Sequence, residues 1–283
     1  MLSVQTNTAA VTALKNLNIN SKAQNMSLNH LSSGFRVNTA SDDAAGFAIA
    51  SKLDAFTGRL KAANLNATQA TAMVKTADAA LNEIQNIIVR IQSLAVQASS
   101  ANNANDLTKL DAERKVLEGQ IDKFAATAEY NGTKLLDGSQ TTAVAFQVGA
   151  ANTANDRITV DLTVNFNSTV ATSSGGLGLK GSAATALTSQ TGAQAYITTL
   201  DTALTNVLKQ RSALGAAQNQ LGFVQANLAT AIEQSTASVS AIKDADMAAE
   251  MANFTKNKIL TQAGTSMLAQ ANQAAQNVLT LFR

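Results

Sequence analysis

Apolar residues recur along this chain at alternating spacings of three and four, the mark of helices that bury one stripe. The longest such run occupies positions 56, 60, 63, 67, 70, 74, 77, 81, 84, 88, 91, 95 and 98, and every one is apolar, from Phe56 through Leu81, Ile84, Ile88 and Ile91 to Ala98. A helix over 44–98 would be roughly 80 Å long. The alanines in its seam let a partner helix approach closely. A second long seam runs from Leu200 through Leu204, Val207, Leu214, Leu221, Leu228 and Ile232 to Val239 and Ile242, interrupted by Arg211, Gln218, Gln225 and Ser235. Over 196–247 it would span roughly 78 Å. The matched lengths predict antiparallel neighbours. Between the two, Asp106 starts a shorter helix with a seam of Leu107, Leu110, Arg114, Leu117, Ile121, Phe124 and Ala128, folding back across the polar stretch 99–105.

The ends repeat the pattern more weakly. Positions 14, 17, 21, 24, 28, 31 and 35 form a heptad seam with Leu14, Leu17, Leu28, Leu31 and Phe35 as apolar members and Ser21 and Gln24 as polar ones. Gly34 stops this helix. The last segment carries Phe254, Leu260, Met267, Leu268, Ala271, Ala274, Val278, Leu281 and Phe282 among Gln and Asn residues. The order is short helix, long helix, tip, long helix, short helix, and it predicts that both ends converge at one pole of a rod. The stretch LSSGFRVNTASDDAAGFAIA, 31–50, is the joint: Ser41 reads as an N-cap, with Asp42 and Asp43 in the first turn. Past Tyr130 the period changes. Asn131-Gly132 and Asp137-Gly138 are turn dipeptides, the runs Ala143–Val148 and Arg157–Val164 predict a β-hairpin, and 165–195 reads as a loop or irregular cap.

Composition narrows the function. Proline and cysteine are absent and there is one histidine, His30. Long helices are thereby favoured, and disulfides, thiolate metal sites, Cys nucleophiles and paired-His metal sites are excluded. The Asp42-Asp43 pair is accounted for by helix capping. Neither an enzyme nor a bound cofactor is expected. No apolar run reaches membrane-spanning length, and the N-terminus lacks the layout of a secretory signal. Residues 1–40 and 251–283 hold six cations and no Asp or Glu, so with a net charge of +2 the middle carries four more acids than bases. These cations are too sparse for a nucleic-acid or membrane handle. Charge-poor ends instead suit burial against other protein.

Six motifs in order resemble bacterial flagellin: LSSGFRVNTASDDAAGFAIA (31–50), RIQSLAVQAS (90–99), YNGTKLLDG (130–138), FQVGAANTANDRITV (146–160), RSALGAAQNQL (211–221) and NQAAQNVLTLFR (272–283). The resemblance covers nearly the whole chain. It implies a mainly α protein, a rod of long antiparallel coiled-coil helices with a small β-hairpin near 143–164. Residues 1–40 and 245–283 would be disordered in the monomer and form a second coiled coil in the filament. Residues 41–244 would be the rod, with a short variable tip near 165–195 and no large outer domains. The implied role is a structural subunit that self-polymerises into the helical flagellar filament for motility, secreted to the cell exterior by type III export. A hook–filament junction protein, or another secreted coiled-coil protein, is the alternative. Implied partners are further copies of the chain, an export chaperone at the C-terminus, and the filament cap and hook-junction proteins. The terminal contacts would fall on Leu14, Leu17, Leu28, Leu31, Phe35, Phe254, Leu260, Leu268, Val278 and Leu281. A Toll-like receptor of innate immunity would read Arg90, Leu94 and Glu113, with Ser93 standing where many family members carry an acid.

Overall fold

The computed structural model describes residues 7–103, 106–168, 176–180 and 187–281, with the backbone alone for Asn103 and for 275–281. In chain order the elements are α1 (Thr8–Ser33), α2 (Ala44–Ala98), α3 (Leu107–Thr127), β1 (Glu129–Tyr130), β2 (Thr133–Lys134), β3 (Val144–Gln147), β4 (Arg157–Val160), α4 (Gln190–Lys243) and α5 (Met247–Leu281). The fold is mainly α, as the periodicity predicts. Two compact units emerge: Met1–Thr57 with Glu233–Arg283, and Gly58–Ile232. Their boundary falls inside α2 and α4. Helical hydrogen bonding continues through a shift in side-chain chemistry that costs the backbone nothing.

In the unit Gly58–Ile232, every predicted seam residue of α2 from Leu60 to Ala98 is buried. Facing them, α4 buries Leu200, Val207, Leu214, Leu221 and Leu228 as expected. Its second stripe is displaced by one residue, however, to Ala203, Gln210 and Ala217. Arg211 and Gln225 therefore stand at the edge of the seam and build a polar ladder to α2. Gln225 Nε2 reaches Thr71 Oγ1 at 3.3 Å, Arg211 Nε reaches Asp78 Oδ1 at 2.9 Å and its Nη1 reaches Gln85 Oε1 at 2.5 Å. Gln92 Nε2 closes the series by donating to Asp201 Oδ1 at 2.8 Å. Thr71, Asp78, Gln85 and Gln92 repeat every seven residues, so one edge of α2 reads α4 in a single antiparallel register. A slip would leave these polar groups unmatched.

Helix α3 brings charge into the same core. Arg114 is 1% exposed. Its Nε donates to Asp111 at 2.9 Å, its Nη1 donates to Glu118, and its guanidinium lies 5.5 Å from the centre of the Tyr196 ring. The Tyr196 hydroxyl in turn donates to Glu118 at 2.5 Å. Burial, reinforced by the Glu118 carboxylate, raises the phenol far above its ordinary value. The hydroxyl is thus a permanent donor joining α4 to α3.

The tip is fastened to this unit by isolated large apolar residues. Phe166, Leu177, Leu179 and Leu187 are all buried. The part of 165–195 expected as a loop that falls at 169–175 and 181–186 lies outside the described residues. Asp122 on α3 holds the tip, accepting from the Ser168 N–H at 2.8 Å and from the Lys180 ammonium. Burial alone would raise this carboxyl, but the Lys180 and Ser168 bonds outweigh it and leave it below the usual range. Asp111 is lowered for the same reason, its burial outweighed by Lys115 and Arg114. A depressed carboxyl contributes stability that is present above its unfolded value, near pH 4, and lost as pH falls through its folded value. Thermal melts taken on acidification below about pH 4 should show falling stability, with a shallower slope in Asp122→Asn.

The predicted hairpin is present. Strands β3 and β4 pair antiparallel with Val144 opposite Val160 and Gln147 opposite Arg157. At its loop, a Cβ on Gly149 would lie 1.8 Å from Asp156 Oδ1 and 2.6 Å from Asp156 Cβ. Asp156 cannot swing aside, because its other oxygen accepts from Thr153 and its carbonyl from Val148 N–H. Gly149→Ala should destabilise the unit by about 1–3 kcal/mol. Hydrogen exchange should accelerate at the β3 and β4 amides before any helix responds; unchanged exchange there would refute the close approach. A smaller hairpin joins β1 to β2 through Asn131-Gly132, both with positive φ, at 51° and 77°. That is the left-handed geometry the dipeptide favours.

Candidate assembly surface

The unit formed by Met1–Thr57 and Glu233–Arg283 is built on α1 and α5. They run antiparallel, as three contacts along their length establish. Asn7 Nδ2 donates to Ala271 O at 2.9 Å while its Oδ1 caps α1 at Ala10 N–H. A Cβ on Gly264 would meet Leu17 Cδ1 at 3.2 Å, so glycine sets a close crossing. At the far end His30 Nδ1 lies 3.6 Å from Glu250 Oε1 and Nε2 lies 3.9 Å from Asp42 Oδ1. The lone histidine is a polar contact between α1, α5 and the joint.

The inward stripe of α1 is Ala10, Ala13, Leu17, Asn20, Gln24, Ser27 and Leu31, and that of α5 is Glu250, Phe254, Asn257, Thr261, Gly264, Leu268 and Ala271. Both follow the three-four alternation. The α1 stripe shares Leu17, Gln24 and Leu31 with the expected seam, keeps Ser21 half-buried, and turns Ala13 and Ser27 inward in place of Leu14 and Leu28. Leu14 is 47% and Leu28 48% exposed, and Phe35 and Leu260 are exposed too. Val278 and Leu281 carry side chains outside the described residues. The two helices therefore meet over small residues and keep much of their large apolar surface outside. Val11, Ile19, Met26, Met247, Met251, Ile259 and Met267, none of them singled out from the sequence as contacts, are exposed on those outer faces. The available signal was the second seam, offset from the first and made of alanine and amides.

The joint is a clasp between two helix ends. Gly34 closes α1 in the left-handed conformation at φ 75°, with its N–H on His30 O. The next residues cap α4: Arg36 and Val37 donate their N–H groups to Lys243 O, at 2.6 and 3.3 Å, and the Arg36 guanidinium reaches Ile242 O at 2.8 Å. Ala245 N–H returns to Gly34 O at 3.0 Å. Lys243 Nζ sits 5.3 Å from the Phe35 ring centre and 3.2 Å from Asp54 Oδ2. The start of α2 differs from expectation by two residues. Asp43 is the cap, accepting from Ala45 and Gly46 N–H at 3.1 and 2.9 Å, while Ser41 pairs with the Thr39 hydroxyl. Asp42 turns back to accept from Thr39 and Asn38 N–H, and the Thr39 N–H above all holds its carboxyl below the ordinary value.

In the other unit, Arg90 and Glu113 form an exposed pair across α2 and α3, with Nη2 at 2.6 Å and Nε at 3.1 Å from Glu113 Oε1. Leu94, one turn on from Arg90 in α2, is buried. It shapes the surface by packing rather than by presenting itself. Among the described residues no group of His, Asp and Glu could hold a metal, and no helix is long and apolar enough to cross a membrane.

A helical protein whose chain ends pair with each other while leaving apolar outer faces uncovered belongs to the class of assembly subunits. Comparison gives the family. The chain matches the bacterial flagellin N-terminal helical region over residues 4–141 and the bacterial flagellin C-terminal helical region over 197–282. It is 40% identical to the flagellin of Halalkalibacterium halodurans over 278 residues and 37% identical to the flagellin of Bacillus subtilis over 305, in each case across 98% of both chains. It is 34% identical to the flagellar filament 33 kDa core protein of Treponema phagedenis, over 98% of both. The crystal structure of Bacillus cereus flagellin aligns with 58% of this chain and 88% of its own, at 30% identity and a TM-score of 0.48. The chain belongs to the bacterial flagellin family.

Proposed function

We propose that this chain is the repeating structural subunit of a bacterial flagellar filament, and that the outer faces of α1 and α5 are where copies meet. The observation that carries this reading is the exposure of Leu14 and Leu28 on a helix whose intrachain seam needs neither. A helix this poor in charge with two apolar flanks is marginal alone and offsets its ordering entropy by burial between copies. Identical non-closing contacts then propagate a helical polymer. Leu17, Leu31, Phe254 and Leu268 hold the pair together, and Phe35 and Leu260 extend the terminal surface. Residues 1–40 and 245–283 order on assembly, and 41–244 fold alone. An export chaperone covers 245–283 before assembly, and cap and hook-junction proteins meet the polymer's ends. The polymer stands outside the cell and performs no catalysis. The Arg90–Glu113 pair, with Leu94 one turn on, is the surface a Toll-like receptor would read.

The test is seeded elongation with heat-dissociated subunit: unmodified protein lengthens seeds. Leu14→Gln with Leu28→Gln should raise the critical concentration at least tenfold while monomer stability changes by less than about 0.5 kcal/mol, as for other exposed positions. Equal elongation by the double variant would remove these faces from the interface.

A further inference from the structure

The chain has six methionines, and their exposure divides by unit. Met26 on α1 and Met247, Met251 and Met267 on α5 are 46–63% exposed, whereas Met73, in the core of Gly58–Ile232, is 6% exposed. Met1 lies outside the described residues. Every exposed methionine among the described residues is thus on the terminal pair, open to solvent over about half of its surface in the free subunit. A thioether is apolar and conformationally adaptable, suited to a face that must fit a neighbour. It is also the one apolar side chain here that a mild oxidant converts into a polar one.

We propose that Met26, Met247, Met251 and Met267 form a peroxide-sensitive modification set that decides whether a free subunit can join the polymer. The inference rests on the preceding reading that these outer faces become buried between copies. The oxidant is hydrogen peroxide. Its O–O bond breaks as one oxygen bonds to Sδ; the sulfur loses two electrons, the peroxide is reduced, and water leaves. The sulfoxide is a strong acceptor without a donor. In the free subunit water satisfies it, so the fold is undisturbed. Within the polymer it would be buried against apolar neighbours, where an unpaired acceptor is disfavoured. Oxidation therefore withdraws subunits from assembly, while copies already assembled keep their thioethers covered. Methionine sulfoxide reductases reverse the change.

The experiment takes the full chain. Free subunit is treated with hydrogen peroxide, mapped by peptide mass analysis, and added to untreated seeds. Oxygen should appear at the four exposed methionines before Met73, circular dichroism should not change, and elongation should fall at least tenfold. Treatment with both sulfoxide reductases should restore it. A variant carrying Met26→Leu, Met247→Leu, Met251→Leu and Met267→Leu should elongate seeds equally with and without peroxide. Should that variant not elongate at all, the reductase rescue of the parent decides the matter. Normal elongation by subunit oxidised at all four sites, failure of the reductases to restore it, or equal peroxide inhibition of the Leu variant would overturn the proposal. Failure of the untreated parent to elongate seeds shows itself before peroxide is added, and sinks the assembly reading and this inference together.

Discussion

Removing residues 245–283 should abolish seed elongation while leaving Gly58–Ile232 folded. The deletion takes away all of α5, and with it the surface on which Leu17 meets Gly264 and the Glu250 contact of His30. Helix α1 has no other partner of comparable length in its unit, and a lone helix of 26 residues with Asn20, Gln24 and Ser27 on its stripe is marginal. The remaining unit keeps its own core, from Leu81 and Ile88 on α2 to Leu214 and Leu221 on α4. Circular dichroism should therefore retain the signal of α2, α3 and most of α4. Limited proteolysis should trim residues 1–40 and stop. In the intact protein both ends should be cut in the monomer and protected in the polymer. Collapse of all helical signal on deletion, or equal protection of the ends in both states, would contradict the division of labour between the units.

Arg114→Met should be among the most destabilising single changes in the chain. The guanidinium holds two buried carboxylates, Asp111 and Glu118, and stacks on Tyr196. Without it they are left buried with Lys115 and the Tyr196 hydroxyl as their remaining partners, a loss of about 3–5 kcal/mol. In a unit of this size that lowers the melting temperature by on the order of 10 °C. Replacing the group together, with Arg114→Met, Asp111→Leu and Glu118→Leu, should recover most of the loss, since apolar residues of similar volume often pack as well as a buried ion cluster. If the single and triple variants melt alike, the cluster is not acting as a charge-balanced group.

How far the fold could be read from the residues depended on whether a helix has one apolar stripe or several. Helix α2 has a single unbroken one, and the expected seam is the buried one from Leu60 onward. Helix α1 has more than one. The large residues Leu14 and Leu28 drew the seam toward themselves, yet the intrachain pair uses Ala10, Ala13 and Ser27, because close helix approach at Gly264 favours small side chains. Periodicity reports which residues avoid water, not which neighbour removes them from it. The same limit displaced one stripe of α4 and turned Arg211 from a seam interruption into the rung between Asp78 and Gln85. Arg114 was legible as a seam residue, but its partner Tyr196 lies across a stretch without periodicity. Leu177, Leu179 and Leu187 were hidden for that reason as well, since an isolated leucine carries no period. Of the candidate recognition trio, spacing could place Arg90 on one helix and Glu113 on the next; that they meet and that Leu94 is covered are facts of three dimensions.

The clasp at the joint has a bearing on the order of events when the chain folds. Arg36 and Val37 complete the carboxyl end of α4, and Gly34 receives Ala245, so the contacts that tie the end of α1 to the end of α4 join residues some two hundred positions apart. The α1 and α5 pairing spans still more, from Asn7 to Ala271. Loop closure over such separations is slow and comes late. A polypeptide delivered N-terminus first, whether from a ribosome or through a narrow conduit, has its opening segment in hand long before the residues that secure it arrive. The central unit draws its core from residues between 58 and 232 and should form first. The terminal unit waits for the last of the chain and then for a second copy, so stopped-flow folding of the monomer should resolve the central phase alone, and a probe at His30 should respond only once seeds are added.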